Sequence, residues 1–190
     1  MECVDRGASL VCLPEYFAYM MHPAIPHGFN EPLNGPVIDS YRKIALDNQC
    51  WLSLGGFQES FGSKSGEEIQ DYPSNAPSNN EIKAEMGYKK THNPASVKRY
   101  NTHLIINSEG QIVSKYRKMH LFDVDMTSKG GVMMNEGQSI ERGLKIEDPI
   151  YSPCGYLGLS ISFDVRFPEM YRELVLKGAQ TLLVPSHFLP

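Results

Sequence analysis

The stretch from Gly158 to Leu174, GLSISFDVRFPEMYREL, limits what this chain can fold into more than any other. An apolar run, YLGLSIS, leads straight into the polar turn Phe163-Asp164-Val165-Arg166. Pro168 follows at a place where a first-turn proline is tolerated. Met170, Leu174 and Val175 then repeat at helical spacing, and Gly178 offers a helix stop. TLLVP resumes as a second apolar strand. The spacing predicts one strand–helix–strand unit with parallel strands. In open α/β sheets the chemistry collects at the carboxyl ends of the strands. Ser162 stands at such an end.

Composition narrows the setting. A chain of 190 residues with 41% hydrophobic content is long enough for one globular domain with a real core. The net charge of -4 argues against nucleic acid or an anionic membrane as a partner. No apolar run is long enough to cross a bilayer. The opening MECVDRGASLVCLPE lacks a basic region followed by an apolar core, so no secretory signal is read there and a cytoplasmic location is expected. Cys3, Cys12, Cys50 and Cys154 form no CxxC pair and are expected to be reduced, buried, small hydrophobes.

In chain order, MECVDRG reads as a helix tail with its glycine stop. Gly7 to Pro14 reads as a buried strand that ends at Glu15. Tyr16 to Asn34 is aromatic, Pro-rich and irregular. A helix is signalled from Pro36, capped by Asn34 or Gly35, with Val37, Ile38, Tyr41, Ile44 and Ala45 on one apolar face. Trp51 to Phe57 is the next strand. Ser60 to Lys98 is rich in Gly, Ser, Asn, Pro and Lys without periodicity, and is expected to be a mobile insertion. THLIIN, SEG and QIVSKYRK read as a hairpin that delivers Lys118 to the end of its second strand. A Gly-rich loop through Gly130 and Gly131 leads to Glu136. Leu144 to Tyr151 is a short, partly apolar segment with a turn at Ser152-Pro153. The expected whole is a single domain over residues 1–190, a layered α/β architecture whose sheet mixes parallel and antiparallel strands.

Glu15, Lys118 and Ser162 each end an apolar strand. A carboxylate can serve as general base towards a nucleophile, and a lysine can stabilise an oxyanion. Taken singly, a charged residue at a strand end is ordinarily a solvated turn residue, and a serine there is ordinarily structural. Spacing alone reaches an α/β enzyme and stops. Arg166 and Glu169 are expected to pair across the loop around Ser162, with Asp164 stabilising the turn. His120 and His187 are not spaced as metal ligands, and there is no GxGxxG or P-loop, so no metal or cofactor is expected.

The local motifs go further. VCLPEYF, KYRKMHLFD and SFDVRFPE, in that order, resemble the nitrilase superfamily of carbon–nitrogen hydrolases. RYNTHLIINSEGQIV, NEGQ and KGAQTLLVPSHF add to the resemblance, which spans nearly the whole chain outside the insertion. The combination YRKMHLFDVD with DVRFPE is most similar to the Nit branch, which includes deaminated-glutathione amidase and omega-amidase. The resemblance implies an αββα sandwich, no cofactor, a small linear amide as substrate, and a homo-oligomer, at least a dimer. It also implies a Glu–Lys–Cys triad. On this sequence Glu15 would be the general base and Lys118 the oxyanion-stabilising lysine. Glu136 would support the lysine and substrate, and the Phe163 N–H would complete the oxyanion hole.

Two departures accompany the match. Ser162 occupies the family's cysteine position. A thiol ionises at about pH 8.5, whereas an alcohol hydroxyl ionises only far above that range, so a serine is much harder to activate as a nucleophile. Catalysis is therefore expected to be impaired. The family also carries elements before the LPE strand and after the PSHF strand that these residues do not supply, so a domain truncated at both ends is expected. Three readings stay open: an amidase-like hydrolase, a catalytically inactive relative acting as a binding or assembly module, and a non-functional gene fragment.

Overall fold

The computed structural model of the chain describes residues 1–18, 31–60, 99–125, 127–130 and 133–187. The expected insertion lies outside them apart from Ser60, as does Gly131 of the glycine pair.

A four-residue helix, α1 (Glu2–Asp5), ends at Gly7 with φ +89° and leads into β1 (Leu10–Leu13). Helix α2 (Pro36–Asn48) starts where Pro36 sets it, with Gly35 at the cap position. Glycine has no side chain to cap with, and Glu31 does this instead. Its Oε1 accepts the Val37 and Ile38 N–H groups at 2.8 and 3.1 Å. The predicted apolar face of α2 is the one that packs inward, with Ile38 and Ala45 fully buried.

Strand β2 (Trp51–Ser60) runs three residues past the predicted end at Phe57. The predicted hairpin is formed by β3 (Arg99–Ile106) and β4 (Ile112–Arg117). Its turn is held by Asn107 Oδ1, which accepts the Glu109 and Gln111 N–H groups, while Gly110 takes φ +75°. The segment expected to be a Gly-rich loop contains a small hairpin of β5 (Asp123–Asp125) and β6 (Met133–Asn135). Alternation over three residues is too short to signal a strand from sequence. β7 (Ile140–Glu141), β8 (Ile150–Ser152) and β9 (Gly155–Leu159) follow, then helix α3 (Pro168–Leu176) and β10 (Thr181–Leu183). β9 and β10 pair in parallel around α3, as the opening stretch predicts.

Among the described residues, β1, β2, β3 and β4 form one mixed sheet in that order, with β7 joined to β3. β10, β9 and β8 form a second. Side-chain alternation sorts the layers. Leu52, Leu54, Leu104 and Ile106 face α2. Ile105 and Tyr116 face the smaller sheet, against Leu157 and Leu159. On the other side of β9, a Cβ on Gly158 would meet Leu182 at 2.9 Å, Ala179 at 3.1 Å and Leu174 of α3 at 3.3 Å. The missing side chain is what lets α3 close down. The layer order is therefore helix, sheet, sheet, helix, the expected αββα sandwich. His103 of β3 bolts the two sheets together: its Nδ1 donates to the Ser160 carbonyl at 2.9 Å and its Nε2 accepts from Ser53 Oγ at 2.8 Å. Burial pushes its pKa down to about 4, so the imidazole is neutral.

Cysteine burial differs from the expectation. Cys50 is buried, but Cys12 and Cys154 are exposed. Cys12 lies on β1, the outer strand of its sheet among the described residues, and Cys154 sits in the tight β8–β9 turn. β1 is itself only partly buried. No helix among the described residues is long and apolar enough to cross a membrane.

Candidate active site

Glu15 lies just past β1, Lys118 one residue past β4, and Glu136 just past β6. Glu15 and Lys118 are each only 2% exposed. Lys118 Nζ is 3.1 Å from Glu15 Oε1, and 2.9 and 3.1 Å from the two oxygens of Glu136. Burial alone would lower the lysine pKa, but the two carboxylates together outweigh it and hold it above its ordinary value. Lys118 is thus a fixed cation.

Asn101 of β3, which the sequence reading did not single out, completes the cluster. Its Nδ2 donates to Glu15 Oε1 at 2.8 Å and to Glu136 Oε1 at 3.2 Å. The Tyr16 hydroxyl donates to Glu136 Oε1 at 3.3 Å, and the Phe122 N–H to Oε2 at 2.8 Å. Every one of these donors faces a carboxylate oxygen.

Gly55 and Gly56 make the close approach possible. They sit in the irregularity of β2 between Leu54 and Phe57. A Cβ on Gly56, where φ is +67°, would lie 2.5 Å from Glu15 Cγ. A Cβ on Gly55 would lie 2.0 Å from Pro185 Cβ. The GG pair in WLSLGGF was the available signal for both.

Ser162 opens a 3-10 turn, Ser162–Arg166, at φ +45°. Tyr16, beside Glu15, is also left-handed at +62°. Non-glycine residues hold this conformation only where the surroundings force it, and such residues cluster at functional sites. The residues after β10 join the two: Pro185 O accepts the Ser162 N–H at 2.9 Å, and the His187 N–H donates to Glu15 Oε2 at 3.2 Å. The Ser162 hydroxyl makes no hydrogen bond to Glu15 or Lys118. The Phe163 N–H meets no acceptor among the described residues, and its ring packs edge-on against Phe122 with centroids 5.0 Å apart.

Arg166 and Glu169 do not form the expected pair; both are exposed. Asp164, fully buried, holds the turn, as expected. A cavity of about 680 Å³ borders this turn, lined by Met119, His120, Ile146, Phe167 and Met170 among others, and includes neither Glu15 nor Lys118. Among the described residues no group of three or more His, Cys, Asp or Glu side chains could hold a metal ion.

Two packed sheets between helices, with a buried lysine clamped by carboxylates at the strand ends, define a layered α/β protein with a buried ionic cluster. The chain belongs to the carbon-nitrogen hydrolase family, whose profile matches residues 1–188. Deaminated glutathione amidase of Dictyostelium discoideum is 43% identical over 195 residues, covering 99% of this chain and 55% of that protein. Its Mus musculus counterpart is 35% identical over 188 residues, covering 98% and 49%. The chain thus spans about half the length of these curated relatives. Among solved structures, the Caenorhabditis elegans NitFhit protein matches with a TM-score of 0.66 at 28% identity, covering 98% of this chain and 38% of that one.

Proposed function

We propose that this site is that of an amidase-like hydrolase for small linear amides, with Glu15 as general base, Lys118 and the Phe163 N–H as oxyanion donors, and Ser162 at the nucleophile position. The observation that carries the reading is the buried Lys118 ammonium held within 3.1 Å of two carboxylates. A lysine held protonated cannot act as the base, but it can stabilise an oxygen as it becomes negative. Glu15 remains to move the proton.

In the first half-reaction the Ser162 oxygen bonds to the amide carbonyl carbon as its proton passes to Glu15. The carbon–nitrogen bond then breaks, and Glu15 returns that proton to the leaving ammonia. In the second, Glu15 takes a proton from water, whose oxygen attacks the acyl ester. The acid leaves and Ser162 regains its proton. Glu136 and Asn101 hold Lys118 and Glu15 in place throughout.

A serine is a poor nucleophile beside a carboxylate base. The missing hydroxyl contact to Glu15 favours a second reading, in which the chain binds an amide or a partner without turning it over. Ammonia release from a panel of small ω-amides separates the two. Ser162→Cys is expected to be more than about a hundredfold faster than the parent chain. Equal rates for the two would sink the nucleophile assignment. Silence from a folded Ser162→Cys chain would leave only the binding reading.

A further inference from the structure

Asp164 receives four donors on one carboxylate. Oδ2 accepts the Ile161 N–H at 2.8 Å and the Tyr116 hydroxyl at 2.7 Å. Oδ1 accepts the His120 backbone N–H at 3.1 Å and its imidazole Nδ1 at 2.7 Å. Burial and then the Asp164 charge push the Tyr116 phenol far above its ordinary pKa, so it stays a donor. Each Asp164 oxygen thus accepts two donors, and the side chain is fully buried.

Those donors come from two places that matter. Ile161 directly precedes Ser162. Tyr116 and His120 flank Lys118 by two residues on each side. The His120 ring also lies flat on Phe167, the residue that ends the turn, with centroids 3.7 Å apart and planes 12° apart. One carboxylate therefore sets the distance between the lysine-bearing segment and the left-handed turn. The left-handed backbone at residue 162 is strained and persists only if the surroundings over-determine it. Several hydrogen bonds to one buried carboxylate supply that constraint. The same geometry leaves the Phe163 N–H without an acceptor among the described residues.

We propose that Asp164 and His120 are positioning residues: through the Ile161 N–H and the Phe167 stack they hold residue 162 and the Phe163 N–H in register with Lys118. The kinetic part rests on the amide-hydrolase reading, so the test has a second readout that does not. In the Ser162→Cys chain, alkylation of the introduced thiol by iodoacetamide is followed by peptide mass spectrometry, with the exposed Cys12 as internal reference, alongside ammonia release. His120→Leu, made in that chain, keeps the bulk and removes the donor. It is expected to slow alkylation at position 162 and kcat about tenfold to a hundredfold with KM within about threefold, as misplacement of a reacting group does. His120→Asn, which keeps a donor near the Nδ1 position, is expected to recover both to within about threefold of the Ser162→Cys chain. Asp164→Asn leaves donors facing donors and can unfold the turn outright, so the His120 pair carries the test. Unchanged alkylation in His120→Leu, or no recovery in a folded His120→Asn, overturns the proposal. A loss and recovery of alkylation in chains that release no ammonia upholds it and rejects the amide-hydrolase reading instead.

Discussion

Lys118 is held by carboxylates from two other segments, Glu15 after β1 and Glu136 after β6, and Asn101 on β3 bonds both of those carboxylates. Ser162, a turn away from β9, is held by backbone bonds, through Ile161 to Asp164 and directly to Pro185. The first region is a charge network whose central pair, Lys118 and Glu15, lies 103 residues apart in sequence. The second is a strained turn whose main fastening, Asp164, lies two residues away. The difference teaches where each is vulnerable. A charge network fails when one charge is removed, because the others are left buried and uncompensated. A strained turn can even gain stability when the strained side chain is replaced.

The largest effect should come from Lys118→Met, which leaves Glu15 and Glu136 unpaired. We expect a loss of about 3–5 kcal/mol in urea unfolding. A loss below about 1 kcal/mol would mean that the network is solvated in solution and the comparison fails.

Next is the bolt between the sheets beneath the Ser162 turn. The His103 pKa falls from the usual 6.5 to about 4 on folding. The unfolded chain therefore binds the extra proton over that window. Stability is complete above pH 6.5 and is lost as pH falls towards 4, by about 3 kcal/mol in all. Glu31, pushed up to about 6 by burial, acts in the opposite sense, adding stability as pH falls from 6 to 4.5. The His103 share is read as the difference in slope between the parent and His103→Asn, followed by urea midpoints from pH 7 to 4.5.

Gly56→Ala sharpens the first side of the comparison. The new Cβ would press on Glu15 Cγ at a left-handed position, and we expect a loss of about 1–3 kcal/mol in thermal unfolding. A neutral result would show that Glu15 has room to retreat from Lys118.

The smallest effect should have the opposite sign. Ser162→Gly removes the strain of φ +45° and is expected to be neutral or to stabilise by up to about 1 kcal/mol. A clear destabilisation would show that the Ser162 side chain makes contacts the backbone geometry does not explain.

Much of this was legible before the fold was known. The strand–turn–helix–strand at 155–183, the α2 face, the long hairpin and the positions of Glu15, Lys118 and Ser162 at strand ends follow from periodicity and turn chemistry. Each is a local property. The β5–β6 hairpin was too short to read, and Gly55-Gly56 looked like part of a plain strand rather than the bulge that admits Glu15. Asn101 resembled any polar residue on a strand, since nothing within its own segment reveals two carboxylates arriving from elsewhere. The expected Arg166–Glu169 pair illustrates the reverse error: neighbours in sequence were assigned to each other, while the actual fastening came from Tyr116 and His120.

The sequence by itself determined the longer elements, their order, the parallel crossover and the presence of a serine in the turn after β9. These depend on side-chain periodicity and on the covalent chain. Only the tertiary structure decided that Lys118 remains charged and that Asp164 gauges its segment against the Ser162 turn. Both depend on burial and on distances between segments far apart along the chain, and electrostatic energy is set by those distances and by the water excluded around them.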